Sequence, residues 1–204
     1  MPRILMVLVL AASVAAGMWL SRLLLPPESP ATAPVDRTAA EMRASAAQAE
    51  TGDFSLPDLA GETRTLADWD GKLRVINFWA TWCAPCRREI PLLKDIQARH
   101  GEAGIQVIGI AIDDAEPVAD YAAEMEFNYP VLIGQEDAIA AAESFGIDFL
   151  GLPFTLIVAP DGELLNVHVG EFNADQAETM ALVLRDFLDG TLPADAARQA
   201  LADI

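Results

Sequence analysis

The 204-residue chain is 52% hydrophobic and carries a formal net charge of −18. Four basic and four acidic side chains fall within residues 1–50, so the whole acidic excess lies in residues 51–204. A domain this acidic is unsuited to nucleic acid or to anionic membrane surfaces, and setting aside an N-terminal apolar stretch and linker leaves about 150 residues, one ordinary domain with a real core.

Residues 4–20 run without a charge, and Leu23-Leu24-Leu25 extends the run past Ser21-Arg22. With Arg22 snorkelling to the interface, the stretch approaches the ~20 residues that span a bilayer. Residues 1–25 therefore read as a signal-anchor transmembrane segment. A cleaved signal peptide is the rival, with Ser13, Ala15 and Ala16 as small residues for a peptidase. Met18, Trp19 and Leu20 keep the stretch apolar beyond that point and favour the anchor. Arg3 precedes the span whereas Arg22, Arg37 and Arg43 follow it, so the positive-inside count does not by itself support export. Long domains translocate largely regardless of charge. Residues 26–50 read as a Pro/Ala-rich linker, with a stiff stalk from Pro26 to Pro34 and a short helix-capable stretch from Thr38 to Glu50.

Residues 53–69 alternate weakly around Ala60-Gly61 and predict a hairpin. Residues 73–80 predict a buried strand and residues 84–99 a helix, kinked at Pro91. Ile105–Ile112 predicts a second buried strand. A helix over 116–127, a short strand over 130–133 and a helix over 137–145 follow. Residues 154–159 and 163–169, joined by Pro160-Asp161-Gly162, predict a hairpin. Ala174–Leu188 predicts the last helix, stopped by Gly190. Residues 191–204 read as a loosely attached C-terminal tail, leaving 51–190 as the folded domain. This order is α/β, with helices covering a central sheet.

The chain's only two cysteines fall in Trp82-Cys83-Ala84-Pro85-Cys86, directly after the first buried strand. Cysteines spaced i, i+3 at a helix start lie roughly 5–6 Å apart, which suits a disulfide. The first sits at the helix N-terminus, where backbone N–H groups and the macrodipole favour a thiolate. Pro85 fits a first turn, because it loses no intrahelical hydrogen bond there. The motif therefore reads as a redox pair. Zinc needs about four ligands, but there is no second Cys pair, and His100 and His168 are the only histidines. A purely structural disulfide across so short a loop would constrain the unfolded chain little.

The run from Asn77 to Pro91, Asn-Phe-Trp-Ala-Thr-Trp-Cys-Ala-Pro-Cys-Arg-Arg-Glu-Ile-Pro, resembles the signature of the membrane-anchored TlpA/ResA-like branch of the thioredoxin family of thiol:disulfide oxidoreductases. Gly151-Leu152-Pro153-Phe154-Thr155 matches that family's cis-proline loop and Asp161-Gly162 its hairpin turn, so the resemblance covers roughly residues 52–190. It implies a thioredoxin fold: a central mixed sheet flanked by helices, with an N-terminal hairpin and a central insert, preceded by one transmembrane helix. It implies Cys83 as attacking thiolate and Cys86 as resolving thiol. Pro153 becomes the cis-proline facing the pair, and Trp82, Leu152 and Pro85 the surface that meets substrate. Glu89 lies one helical turn after Cys86, on the same face; in this branch a glutamate there influences thiol protonation, which places Glu89 in the catalytic set. Ordinary thioredoxins often carry a buried Asp where this chain has Asn77. Asn cannot titrate, so proton management shifts to Glu89. No cofactor is implied beyond the Cys83–Cys86 disulfide itself.

The expected function is that of a single-pass protein of the cytoplasmic membrane with its domain in the periplasm, reducing partner-protein disulfides. The family's substrates are apocytochrome c or the copper-site cysteines of oxidase-assembly proteins, and a membrane thiol reductase supplies the electrons. Cytochrome-maturation reductases commonly carry an acidic residue after the cis-proline; Phe154 stands there, which favours a TlpA-like role. The alternatives are a peroxidase of the same fold and a copper-binding module. The first uses its Cys in another sequence setting. The second pairs Cys-x-x-x-Cys with His, a longer spacing than here. Arg87, Arg88, Lys94 and Arg99 lie on the helix after the pair. They read either as support for the thiolate and for an acidic partner or as an ordinary solvated face.

Overall fold

The computed structural model describes residues 52–149 and 151–204. The expected anchor and the linker, residues 1–50, lie outside the described residues. Among the described residues no helix is long and apolar enough to cross a membrane.

The chain begins with an antiparallel hairpin, β1 (Ser55–Pro57) and β2 (Thr63–Thr65), and a 3-10 turn over Leu66–Trp69. Then follow β3 (Leu73–Trp79), α1 (Ala84–His100), β4 (Ile105–Ile112), α2 (Ala115–Met125), β5 (Val131–Gly134) and α3 (Glu136–Ser144). The closing part is β6 (Phe154–Val158), β7 (Leu164–Val169), α4 (Ala174–Leu188) and α5 (Ala194–Ala202). The main sheet has the order β5-β4-β3-β6-β7. β3, β4 and β5 are parallel, and β6 and β7 run antiparallel to their neighbours. The mixed sheet, the N-terminal hairpin and the added helix and strand between β4 and β6 are the architecture the sequence predicted.

Every residue of β3 is buried, because helices or the hairpin cover both faces of the sheet. Side chains alternate across a strand. Leu73, Val75 and Trp79 join Ile90, Leu93 and Ile96 of α1 and Met180 and Leu184 of α4 in one core. Ile76 and Phe78 join Ala138 and Ala142 of α3 and Leu56, Leu66 and Trp69 of the N-terminal segment in the other. Pro91 lies inside α1, which continues through it as one helix to His100. A capping box starts α4: Asn173 Oδ1 accepts from Gln176 N at 2.9 Å, and Gln176 Oε1 accepts from Asn173 N at 3.0 Å.

The C-terminal segment corrects the sequence reading. Residues 191–204 are not a loose tail; they hold α5, with Ala197 and Leu201 fully buried. Asn166 of β7 donates to the Leu201 carbonyl at 2.9 Å. The folded domain therefore runs past 190. The cause is the i, i+4 spacing of Ala197 and Leu201, which gives a short amphipathic stripe against the edge strand β7.

Candidate active site

β3 delivers the chain to the end of the sheet where its last residue, Trp79, meets the loop that starts α1. Cys83 is the N-cap of that helix, and its Sγ accepts from the Cys86 backbone N–H at 3.3 Å. Cys83 and Cys86 form a disulfide with Cα atoms 5.3 Å apart. The first helical N–H groups have no intrahelical partner, so sulfur at this cap occupies the position of an anion acceptor, and Pro85 removes no bond that the helix would otherwise make. Cys86 is fully buried and Cys83 keeps 5% exposure, so solvent reaches the pair through Cys83. Trp82 beside it is 68% exposed. The loop is tied to the end of β4, where Asp113 Oδ2 accepts from the Thr81 N–H at 2.9 Å and from its hydroxyl.

The second expected element arrives from β6. The Leu152–Pro153 peptide is cis. β6 pairs antiparallel with β3, Phe154 opposite Phe78, so Pro153 enters at the same end of the sheet from which β3 runs toward Cys83. Its carbonyl accepts from Gly170 N at 2.9 Å. Pro153 is buried, whereas Leu152 and Pro85 are half-buried. Trp82, Pro85 and Leu152 thus retain surface at this end, and Trp82 retains most.

Glu89 is more buried than its helical spacing alone predicts, with no solvent exposure. Its Oε1 accepts from Asn77 Nδ2 at 2.8 Å and its Oε2 from the Phe172 backbone N–H at 2.9 Å. Asn77 Nδ2 also donates to Thr155 Oγ1 at 3.0 Å. Burial pushes the Glu89 carboxyl up to about 7; the Phe172 and Asn77 hydrogen bonds oppose this, and the charge of Glu171 adds to it. Glu171 itself is held low by its two-point pairing with Arg88, both contacts 2.8 Å. Burial, with the Glu89 charge adding, raises the Tyr129 phenol well above its ordinary value. The site therefore holds a two-electron couple at a helix start and a buried acid, one turn further along the helix, that titrates near neutrality.

The arginines and lysine of α1 are engaged with neighbours. Arg88 pairs with Glu171, and Arg99 with Asp95 and Glu178. Lys94 donates to the Met125 carbonyl, and the Arg87 guanidinium lies 5.5 Å from the Tyr121 ring centre. Arg88 and Arg99 thus show the ion pairs of a solvated helix face. His168 is placed in β7, stacked on Phe172, and His100 at the far end of α1. Among the described residues no group of three or more His, Cys, Asp or Glu side chains is placed to hold a metal ion. Sequence reasoning missed Thr155 and Phe172. Thr155 is visible only through the β3–β6 register, and Phe172 contributes a backbone N–H that no side-chain pattern reveals.

The AhpC/TSA family profile matches residues 47–167. The chain is similar to the thiol-disulfide oxidoreductase ResA of Bacillus cereus, 30% identical over 130 residues, which cover 63% of this chain and 73% of that protein. It is similar to the thioredoxin-like protein YneN of Bacillus subtilis, 32% identical over 130 residues, covering 62% and 73%. Among solved structures, a thiol:disulfide interchange protein of the thioredoxin family from Chlorobium tepidum superposes with a TM-score of 0.58 at 30% identity, covering 66% of this chain and 96% of that one. The fold is thus thioredoxin-like. The chain belongs to the AhpC/TSA family, and with its Cys83–Cys86 pair it is a thiol-disulfide oxidoreductase similar to the ResA proteins.

Proposed function

We propose that the protein is a membrane-tethered reductase of protein disulfides on the outer side of the cytoplasmic membrane, in the periplasm. The observation that carries the reading is the Cys83 cap at the start of α1 with the buried Glu89 carboxyl one turn beyond Cys86. In the reduced enzyme the Cys83 thiolate attacks one sulfur of the partner's disulfide, forming a mixed disulfide and expelling the other partner sulfur as a thiolate, which takes a proton. Cys86, deprotonated, then attacks Cys83 Sγ; the enzyme disulfide forms and the second partner thiol leaves with a proton. Two electrons and two protons pass from the Cys83–Cys86 dithiol to the partner. Glu89 is the group assigned to accept and return the Cys86 proton, because it lies one turn after Cys86 on α1, fully buried, and burial pushes its carboxyl up to about 7. A membrane thiol reductase returns two electrons to the pair.

Trp82, Leu152 and Pro85 form the surface for the partner's backbone and side chains, with Pro153 at its edge. The substrates are apocytochrome c or copper-site cysteines of oxidase-assembly proteins. The second fits better, since Phe154 is buried and stacked on Phe78 with centroids 4.4 Å apart, leaving no carboxylate after Pro153. The span of residues 1–25 would tether the enzyme beside a membrane-bound partner and raise its local concentration. Trapping with Cys86→Ala in cells is the test: a disulfide-linked adduct with an exported metal- or haem-site protein supports the reading, and adducts only with cytoplasmic proteins overturn it.

A further inference from the structure

Both hydrogen-bond lines that hold Glu89 lead to one residue of β7. The first runs from Glu89 Oε2 to the Phe172 N–H, and the Phe172 ring lies flat on the His168 imidazole, centroids 3.9 Å apart and planes 15° from parallel. The second runs from Glu89 Oε1 through Asn77 to Thr155, which is the cross-strand partner of His168. His168 is itself buried, at 5% exposure.

The four residues after His168 make a sharp return from β7 toward α4. Gly170 takes a φ of +104°, open to glycine, and its N–H is held by the Pro153 carbonyl. This return folds the Phe172 ring back over His168 and aims the Phe172 N–H at the carboxyl. A branched aliphatic residue serves a strand as well as His does, but it offers no flat face for a ring. A stacked aromatic pair gains from geometry beyond its buried area.

We propose that His168 is a positioning residue for the Glu89 carboxyl, acting through Phe172: its ring is the platform that keeps the Phe172 N–H on Oε2. The inference rests on the proposed role of Glu89 in thiol protonation. The titratable groups coupled to Glu89 are Tyr129 ahead of β5 and Glu171 beyond β7, the latter paired with Arg88 of α1; Cys86 lies one turn earlier on the same helix. The ring stacked on Phe172 is that of His168, and the His168→Phe variant separates loss of the ring face from loss of the imidazole itself.

The test is iodoacetamide alkylation of the reduced protein against pH in His168→Val, His168→Phe, Phe172→Leu, Glu89→Gln and the Glu89→Gln/His168→Val double variant, with circular dichroism as a check of folding. Loss of a hydrogen bond to a carboxylate raises its pKa by about one unit. Less Glu89 charge then faces the thiols, so the alkylation midpoint in His168→Val and Phe172→Leu falls by roughly half a unit. His168→Phe keeps a flat ring and gives the wild-type curve, and His168→Val causes no further shift once Glu89 is Gln. If Glu89→Gln shifts the curve and folded His168→Val does not, the platform role is overturned while the Glu89 role stands. If His168→Phe shifts as much as His168→Val, stacking is not the cause and the inference also falls. If Glu89→Gln itself leaves the curve unmoved, the failure lies with the Glu89 reading. Should His168→Val not fold, Phe172→Leu decides by the same criteria.

Discussion

Asn77 Nδ2 lies 2.8 Å from Glu89 Oε1, joining the middle of β3 to the second turn of α1. The same nitrogen spends its other hydrogen on Thr155 Oγ1 of β6. One neutral amide therefore ties the active-site helix to two strands and leaves Glu89 as the titrating group in this buried row. A carboxylate at position 77 would set a second negative charge directly against the first.

The redox mechanism assigns unequal roles to the cysteines. Cys83→Ser is expected to abolish disulfide reduction by the domain of residues 51–204 in an insulin-type turbidity assay. Cys86→Ser is expected to accumulate mixed disulfides visible on non-reducing gels. Full turnover by the Cys83 variant would sink the mechanism.

Glu89→Gln is expected to lower the apparent thiol pKa of the pair, because a buried negative charge beside it is lost. Exchange near neutral pH is expected to slow, since the group that relays the Cys86 proton is gone. Gln is nearly isosteric: its carbonyl can keep the Phe172 N–H bond while its NH2 donates to the Asn77 side-chain oxygen once that amide inverts, so the fold should survive. Alkylation and exchange rates measured across the acid-to-alkaline range check both effects; superimposable curves would remove Glu89 from the mechanism.

The same carboxyl leaves a mark on stability. Its folded pKa of about 7 stands above the ordinary value of 4.5, so between these values the native state binds more protons than the unfolded chain. Stability therefore falls as pH rises through that window and levels off above it, by about 3 kcal/mol from this group. Urea unfolding of the oxidised domain at the two ends of the window should show the loss, and Glu89→Gln should remove that share of it. An identical pH dependence in the variant would contradict the burial of an ionisable group here.

Asn77→Asp is expected to make that pH dependence steeper. Two carboxyls in one buried site are both protonated at low pH and share one proton at intermediate pH, whereas ionising the second at higher pH costs on the order of 3 kcal/mol. The comparison is the melting temperature in mildly acidic against mildly alkaline buffer. A variant no more pH-sensitive than wild type would show that the Asn77–Glu89 contact does not form.

Leu201→Ala is expected to destabilise the domain by about 2–4 kcal/mol, since it empties a fully buried position between α5 and β7. The change should appear in the urea midpoint with the Cys83–Cys86 activity intact. A loss under about 0.5 kcal/mol, the range of exposed sites, would return residues 191–204 to the status of a tail.

What the sequence alone decided is local. The Cys-x-x-Cys pair, the strand before it and the helix after it follow from short-range periodicity and the first-turn Pro85. The hairpin with Asp161-Gly162 and the stop at Gly190 follow from turn chemistry. Tertiary structure alone decided the surroundings of Glu89. Helical spacing places it on the face of Cys86, but its full burial depends on Asn77 12 residues away and Phe172 83 residues away. The residue that gives Phe172 its platform, and the docking of α5 on β7, rest likewise on strand register and chain return. Pattern reading sees periods of about two and 3.6 residues. It cannot see which carboxyl ends beneath which backbone N–H, because that is set only when distant strands pair and a helix closes over them.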